Sequence, residues 1–325
     1  MKTRDRNIDG LKFLMIYFVV LAHIHYNDYG LHLTKMIFSF HMPVFVFLSG
    51  YFTSLNANAS KQRAWLKQTL IIFLCAQLAH CALTLILGYA ASRLHGEPFN
   101  TSLLSWKMLI VPAFTLWYLV CLMYWRLVVW SLPRSVGGTT LFVISLLLAL
   151  ASGFVPLDRV LSFQRAFAFF PFFVAGIMFK DKNLMLRLER VGVWYSVVIL
   201  LACLIVARLL PIYIPAVHYG GWSDFGLRCT QTALAMISCL MIFRLSREGG
   251  LERLARWGTY TLWIYIGHSF LIVISRKVFS MLHISLNVFV AMVVAALFCA
   301  LCITAACMWQ KVAARHRDAR QVVKN

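Results

Sequence analysis

Lys12 and His23 stand 11 residues apart in RNIDGLKFLMIYFVVLAHIHYND, a stretch that is otherwise strongly apolar. At about 100° per residue, that spacing returns to within ~20° of its starting azimuth after three turns. The two side chains therefore share one face of a helix, with Asp9 one turn below Lys12. Such a stripe sets a cation and an anion at one mouth of the helix and an imidazole roughly 16 Å further along. Ionisable groups inside an apolar span are costly unless they face protein or water, which makes each a functional candidate. Two plainer roles stay open: Lys12 reaching to lipid headgroups, and His23 hydrogen-bonding a neighbouring helix.

The next apolar stretch, KMIFSFHMPVFVFLSGYF, carries His41 two residues before Pro43, and Ser49-Gly50 towards its other end. Pro43 has no N–H to donate to the carbonyl of Ser39, so a kink is expected there. If consecutive spans run antiparallel, His41 returns to the depth of His23, and two imidazoles beside an unpaired carbonyl describe a wet cavity. A proline kink with a structural histidine is the alternative. The loop NASKQRAWLKQ follows, where Lys61, Arg63 and Lys67 suit an anion, either lipid headgroups or the phosphates of a soluble cofactor. Three later candidates are Trp117 beside Tyr118 in TLWYLV, Arg165 at the start of FQRAFAFFPFFVAGIMF, and His268 in YTLWIYIGHSFLI. Each is equally compatible with a packing role.

The elements that would position these residues follow from composition. Of 325 residues, 61% are hydrophobic and 13% charged, more apolar surface than a soluble domain can bury. Measured against about 20 apolar residues per crossing, the chain reads as ten spans, near 10–29, 34–55, 65–91, 110–131, 139–157, 165–180, 192–211, 226–245, 258–280 and 284–309. The expected fold is an all-α, polytopic integral membrane protein with a single transmembrane domain over residues 1–325. Lys and Arg concentrate at the N-terminus, in the even-numbered turnarounds such as KDKNLMLRLER and RLSREGGLERLARW, and in the tail KVAARHRDARQVVKN. That bias puts both termini in the cytoplasm. The net charge of +20 sits in short loops rather than along one face, which argues against nucleic-acid binding. MKTRDR before an apolar run imitates a signal peptide, but the run is too long and offers no cleavage site, so it is expected to stay as the first span. The nine cysteines lie in or beside apolar runs, and CALC at 299–302 has no His or carboxylate near it, so neither a disulfide framework nor a metal is expected.

Taken together, these segments resemble the membrane acyltransferase family 3, in particular its fucose 4-O-acetylase-like branch. The resemblance rests on Lys12 to His23 within IDGLKFLMIYFVVLAH and on FHMPVFVFLSGYF, with weaker similarity at TLWYL, FFPFFVAGIMF and YTLWIYIGH. It implies transfer of an acyl group, usually acetyl from acetyl-CoA, to a sugar hydroxyl on a glycan or lipid-linked intermediate, at a bacterial inner membrane. His23 is then the implied base, since imidazole titrates at ~6.5 and a sugar hydroxyl attacks a thioester only as its proton is removed. His41 is the expected donor to the developing oxyanion. Lys12, Ser49, Arg63 and Lys67 fall on the acyl-CoA side, and Asp9, Trp117, Arg165 and His268 on the acceptor side. Two departures bear on the donor end: Lys12 stands where many relatives have Arg, which removes a bidentate donor, and TLIIFLC lacks the proline that often follows the basic run. The rival class is a secondary transporter using intramembrane His and Lys, but the chain has no internal repeat and no matched pair of broken spans.

Overall fold

In lipid, a chain must satisfy its backbone internally, and the helix does so within a single segment. The computed structural model describes residues 5–24, 28–96, 98, 101, 105–133, 135–156, 160–180, 182–212, 218–284 and 286–322. The segment MKTR and residues 323–325, part of the charge pattern read for orientation, lie outside the described residues. Among the described residues every regular element is helical. In chain order these are α1 Arg6–His23, α2 Asp28–Phe52, α3 Ala59–His95, α4 Lys107–Ile110, α5 Trp117–Ser131, α6 Gly138–Ala151 and α7 Phe163–Met178, then α8 Lys182–Glu189, α9 Val193–Leu209, α10 Trp222–Leu245, α11 Ala255–Gly258, α12 Thr261–Met281 and α13 Val288–Val322.

A helix lies in each of the ten expected segments, yet among the described residues only five are long and apolar enough to cross a membrane: His32–Phe52, Ala59–Leu94, Trp222–Glu248, Thr261–Met281 and Val288–Arg315. Of the rest, α1 has 18 residues but carries Arg6, Asp9 and Lys12, and the other four are short. Helices α5, α6, α7 and α9 have 14 to 17 residues, or about 21–26 Å at 1.5 Å per residue, against a hydrocarbon layer of ~30 Å.

The chain packs as two compact units, residues 1–37 with 246–325, and residues 38–245. In the first, Asp5 caps α1, its Oδ1 accepting from the N–H groups of Asn7 and Ile8 at 3.1 and 3.3 Å. Leu11, Met15, Ile16, Val19 and Val20 of α1 are buried, as are Ile264 and Ile272 of α12 and Ala291 and Ala295 of α13. Within RLSREGGLERLARW, expected as a cytoplasmic turnaround, the stretch after α10 folds into 3₁₀ turns at Ser246–Glu248 and Leu251–Leu254 followed by α11. It lies backbone-on-backbone against the first turns of α1. A Cβ on Gly10 would sit 2.0 Å from the carbonyl oxygen of Leu251, and one on Gly258 2.0 Å from that of Asp9. Phe13 meets Trp257 with ring centroids 5.2 Å apart, and Arg247 pairs with Asp5.

In the second unit, α2 and α7 approach through a reciprocal glycine contact: a Cβ on Gly50 would meet Phe173 O, and one on Gly176 would meet Phe47 O, each at 1.9 Å. Around that crossing pack Val46, Cys121, Trp125, Phe169, Phe172 and Phe173, and Trp125 Nε1 donates to Ala166 O at 2.7 Å. The span expected over 110–131 begins late. Residues 111–116 are not helical, because Pro112 cannot donate and Phe114 adopts a positive φ of 47°. A side chain from another helix holds this break. Gln77 of α3 donates to Met108 O (2.7 Å) and Val111 O (2.9 Å), and accepts from Ala113 N–H (2.8 Å).

Candidate active site

Helix α1 ends at His23, and Ile24 is already extended. The His23 ring folds back along its own helix, with Nδ1 2.7 Å from the carbonyl oxygen of Val19. A carbonyl only accepts, so Nδ1 carries the hydrogen and, in the neutral ring, Nε2 holds the basic lone pair. His268 repeats the arrangement on α12. Its Nδ1 donates to Ile264 O at 2.9 Å, its side chain is fully buried, and its ring lies edge-on to His23 at 5.9 Å between centroids. Tyr265 flanks His268 at 6.2 Å, and Arg276, further along α12, donates from Nη2 to the carbonyl oxygen of His23 at 2.8 Å. Two sequence candidates 245 positions apart are thus brought together, on two helices of one unit.

At the other end of the same stripe, Lys12 Nζ lies 3.2 Å from Asp9 Oδ1. Asp9 is 4% exposed and sits under Gly258, so its carboxylate serves Lys12 at a packed crossing. The 11-residue register of the sequence holds: α1 is helical from Arg6 to His23, with the ion pair about 16 Å along the axis from the imidazole.

The second unit holds the remaining candidates. Arg165, in the first turn of α7, lies with its guanidinium 5.1 Å over the ring of Trp117, the first residue of α5; Trp117 in turn stacks on Phe169 at 5.3 Å. The backbone entering α7 is strained, with Leu161 and Ser162 at φ 55° and 58°. Two residues expected to meet the acceptor therefore form one aromatic and cationic surface. His41 is buried in α2 with Phe38 at 5.0 Å, and Pro43 lies inside the helix as expected. Ser49 Oγ donates to Phe45 O at 2.9 Å and accepts from the Tyr118 hydroxyl at 2.5 Å. Lys61, Arg63 and Lys67, expected on a loop, instead occupy the first turns of α3, which Asn58 caps by accepting from Lys61 N–H at 3.0 Å. All three are exposed. Gln62 turns the other way, into a cavity of ≈ 570 Å³ also lined by Asn56, Asn58, Trp130, Pro133 and Met178.

Three residues were not singled out from the sequence. Arg276 carried the signal already applied to His23, a charge inside an apolar span, four residues from the expected end of that span at 280. Tyr118 read as packing, and its partnership with Ser49 joins two helices. Arg126, inside α5, lies 3.9 Å over the ring of Trp65 and 5.8 Å from that of Trp130, so aromatic faces stand in for its hydration. Among the described residues no group of three or more His, Cys, Asp or Glu is arranged to hold a metal ion.

A family model described as an acyltransferase domain matches residues 5–309. No curated protein and no solved structure matches the chain.

Proposed function

The chain belongs to the family of that acyltransferase domain, and on this premise we propose that it moves an acyl group, acetyl in the first instance, from cytoplasmic acyl-CoA to a hydroxyl of a glycan or lipid-linked saccharide. The observation that carries the reading is the His23 ring, whose Nδ1 is held by the carbonyl of Val19 so that Nε2 is the basic nitrogen. In the proposed reaction, Nε2 takes the proton of the sugar hydroxyl as its oxygen attacks the thioester carbonyl. The tetrahedral oxyanion then collapses, the C–S bond breaks, and the imidazolium returns its proton to the departing CoA sulfur.

The other assignments extend this reading. Lys12, Ser49, Arg63 and Lys67 serve acyl-CoA, whose phosphates favour a Lys- and Arg-rich approach. His41 donates to the oxyanion. Trp117 and Arg165 set an indole against a five-donor guanidinium, and that pairing of aromatic and hydrogen-bonding groups supports placing the acceptor there. His268 and Asp9 complete the acceptor set. The same reading takes all ten segments as spans, with both termini cytoplasmic, in a bacterial inner membrane and in the fucose 4-O-acetylase-like branch.

The test is acyl transfer by the purified protein, with glycan O-acylation compared by mass spectrometry in cells with and without the gene. His23→Ala and His23→Gln should each lower transfer by about 10²–10⁴-fold, the usual contribution of a general base, while detergent stability stays near wild type. Glutamine hydrogen-bonds but cannot take the proton. A fully active His23→Gln enzyme overturns the proposal.

A further inference from the structure

The proposed base occupies an awkward place, the last residue of its helix. The final four carbonyls of an α-helix have no intrahelical donor, and helix ends fray. A frayed last residue would swing the His23 ring and break its bond to Val19 O, since that bond requires the ring and the preceding turn to keep helical register. Among the described residues that follow directly, no local cap is present. No glycine follows, Ile24 is extended, and its N–H reaches back only to Leu21 O at 3.2 Å.

The partner comes from α12. Arg276 Nη2 donates to His23 O at 2.8 Å, a charge-assisted bond to the carbonyl of the residue that bears the imidazole. The same helix carries His268, whose ring meets that of His23 at 5.9 Å. Helix α12 thus touches His23 twice, at its backbone through Arg276 and at its ring through His268. Helix α12 in turn packs closely on α13, where a Cβ on Gly267 would meet Cys302 Sγ at 2.7 Å. The main-chain carbonyl, the ring and the preceding turn are then all constrained, which defines where Nε2 points.

We infer that Arg276 is a positioning residue for acyl transfer: by capping the C-terminus of α1 through the His23 carbonyl, it holds the imidazole in its reactive orientation. The inference rests on the reading of His23 as the base. Arg276 touches neither substrate in this proposal, so its loss acts through His23 alone. A displacement of about 1 Å at a reacting group is enough to lower a rate by ~10²-fold.

The experiment compares Arg276→Ala, Arg276→Lys and Arg276→Gln as full-length purified proteins. Expected for Arg276→Ala is a fall in kcat of about 10²-fold, a KM for acyl-CoA within about twofold of wild type, and partial recovery when free guanidinium is added. Lysine should fall between, since it reaches a single acceptor as a point charge without the planar fork. In a His23→Ala background, removal of Arg276 should change the residual rate no further. If Arg276→Ala does not fold, Arg276→Lys and Arg276→Gln are read by the same criteria. A kcat within about threefold of wild type overturns the inference. So does a loss that tracks detergent stability and is not restored by guanidinium, because that describes a structural cap only. Failure of the base itself is seen separately, as a His23→Gln enzyme that remains active.

Discussion

Substituting Gly10 by alanine probes whether the close crossing at the foot of α1 sets the position of its far end. The added methyl would lie 2.0 Å from Leu251 O and 2.9 Å from Leu251 Cβ. A relaxed carbon–oxygen contact is about 3.3 Å or more, so α1 and the 251–258 segment must part by about 1.3 Å. No rotamer change relieves this, because the nearest obstacle is a backbone carbonyl. Overpacking of this kind costs about 1–3 kcal/mol, and the upper end is expected here. The displacement then travels, since α1 is one helix from Arg6 to His23 and a shift at its foot tilts the ring at its end. Gly10→Ala should therefore lose about 2–3 kcal/mol of stability and, in the fraction that stays folded, about 10²-fold in transfer rate. Gly226→Ala is the control. It lies in α10 with no atom within 4 Å of an added Cβ, so it should gain up to about 1 kcal/mol from helix propensity alone. Thermal unfolding in detergent and acyl transfer at saturating donor measure both effects. If Gly10→Ala behaves like Gly226→Ala in both assays, the crossing is not close and the argument fails.

Neutralising Arg63 and Lys67 together should raise the KM for acyl-CoA severalfold and leave the acceptor KM unchanged; equal donor KM in the double variant returns these exposed residues to headgroup contacts. Trp117→Ala and Arg165→Ala should each raise the acceptor KM, and because the two side chains touch, their effects should not add; additive losses would mean that they act separately. Gln77→Glu keeps the shape of the clamp but replaces the amide donor with an acceptor facing Met108 O and Val111 O. At roughly 0.5–1.5 kcal/mol per bond, it should lose about 1–3 kcal/mol in thermal unfolding, whereas an unchanged variant would show that the break before α5 does not depend on this side chain.

What the sequence disclosed is what a single helix holds. Lys12, Asp9 and His23 lie on one continuous element, so their common face follows from periodicity alone, and the structure keeps that register. Asn58 was equally local, a capping residue in plain sight, yet the charges after it drew attention to a loop where α3 already begins. The break before α5 was not local. Pro112 announced that a backbone donor was missing, but the partner that makes a break tolerable is Gln77, on a different helix. Glycines behaved the same way: Gly249-Gly250 lie in a segment read only as a charged turnaround, whereas Gly258 beyond them lets a backbone lie on Asp9.

The candidate site divides along the same line. Sequence chose His23, His268, Trp117 and Arg165 one at a time, each with a packing role equally open. What the structure adds is pairing: an imidazole against an imidazole, a guanidinium over an indole. Those pairs are set by how helices cross, which depends on summed side-chain shapes rather than on any residue's own type. Arg276 shows the consequence most directly. Alone, an arginine near the end of an apolar span is a cation reaching for headgroups. Beside the last carbonyl of α1 it becomes the cap of the helix that ends in His23, and only the crossing of α1 with α12 distinguishes the two.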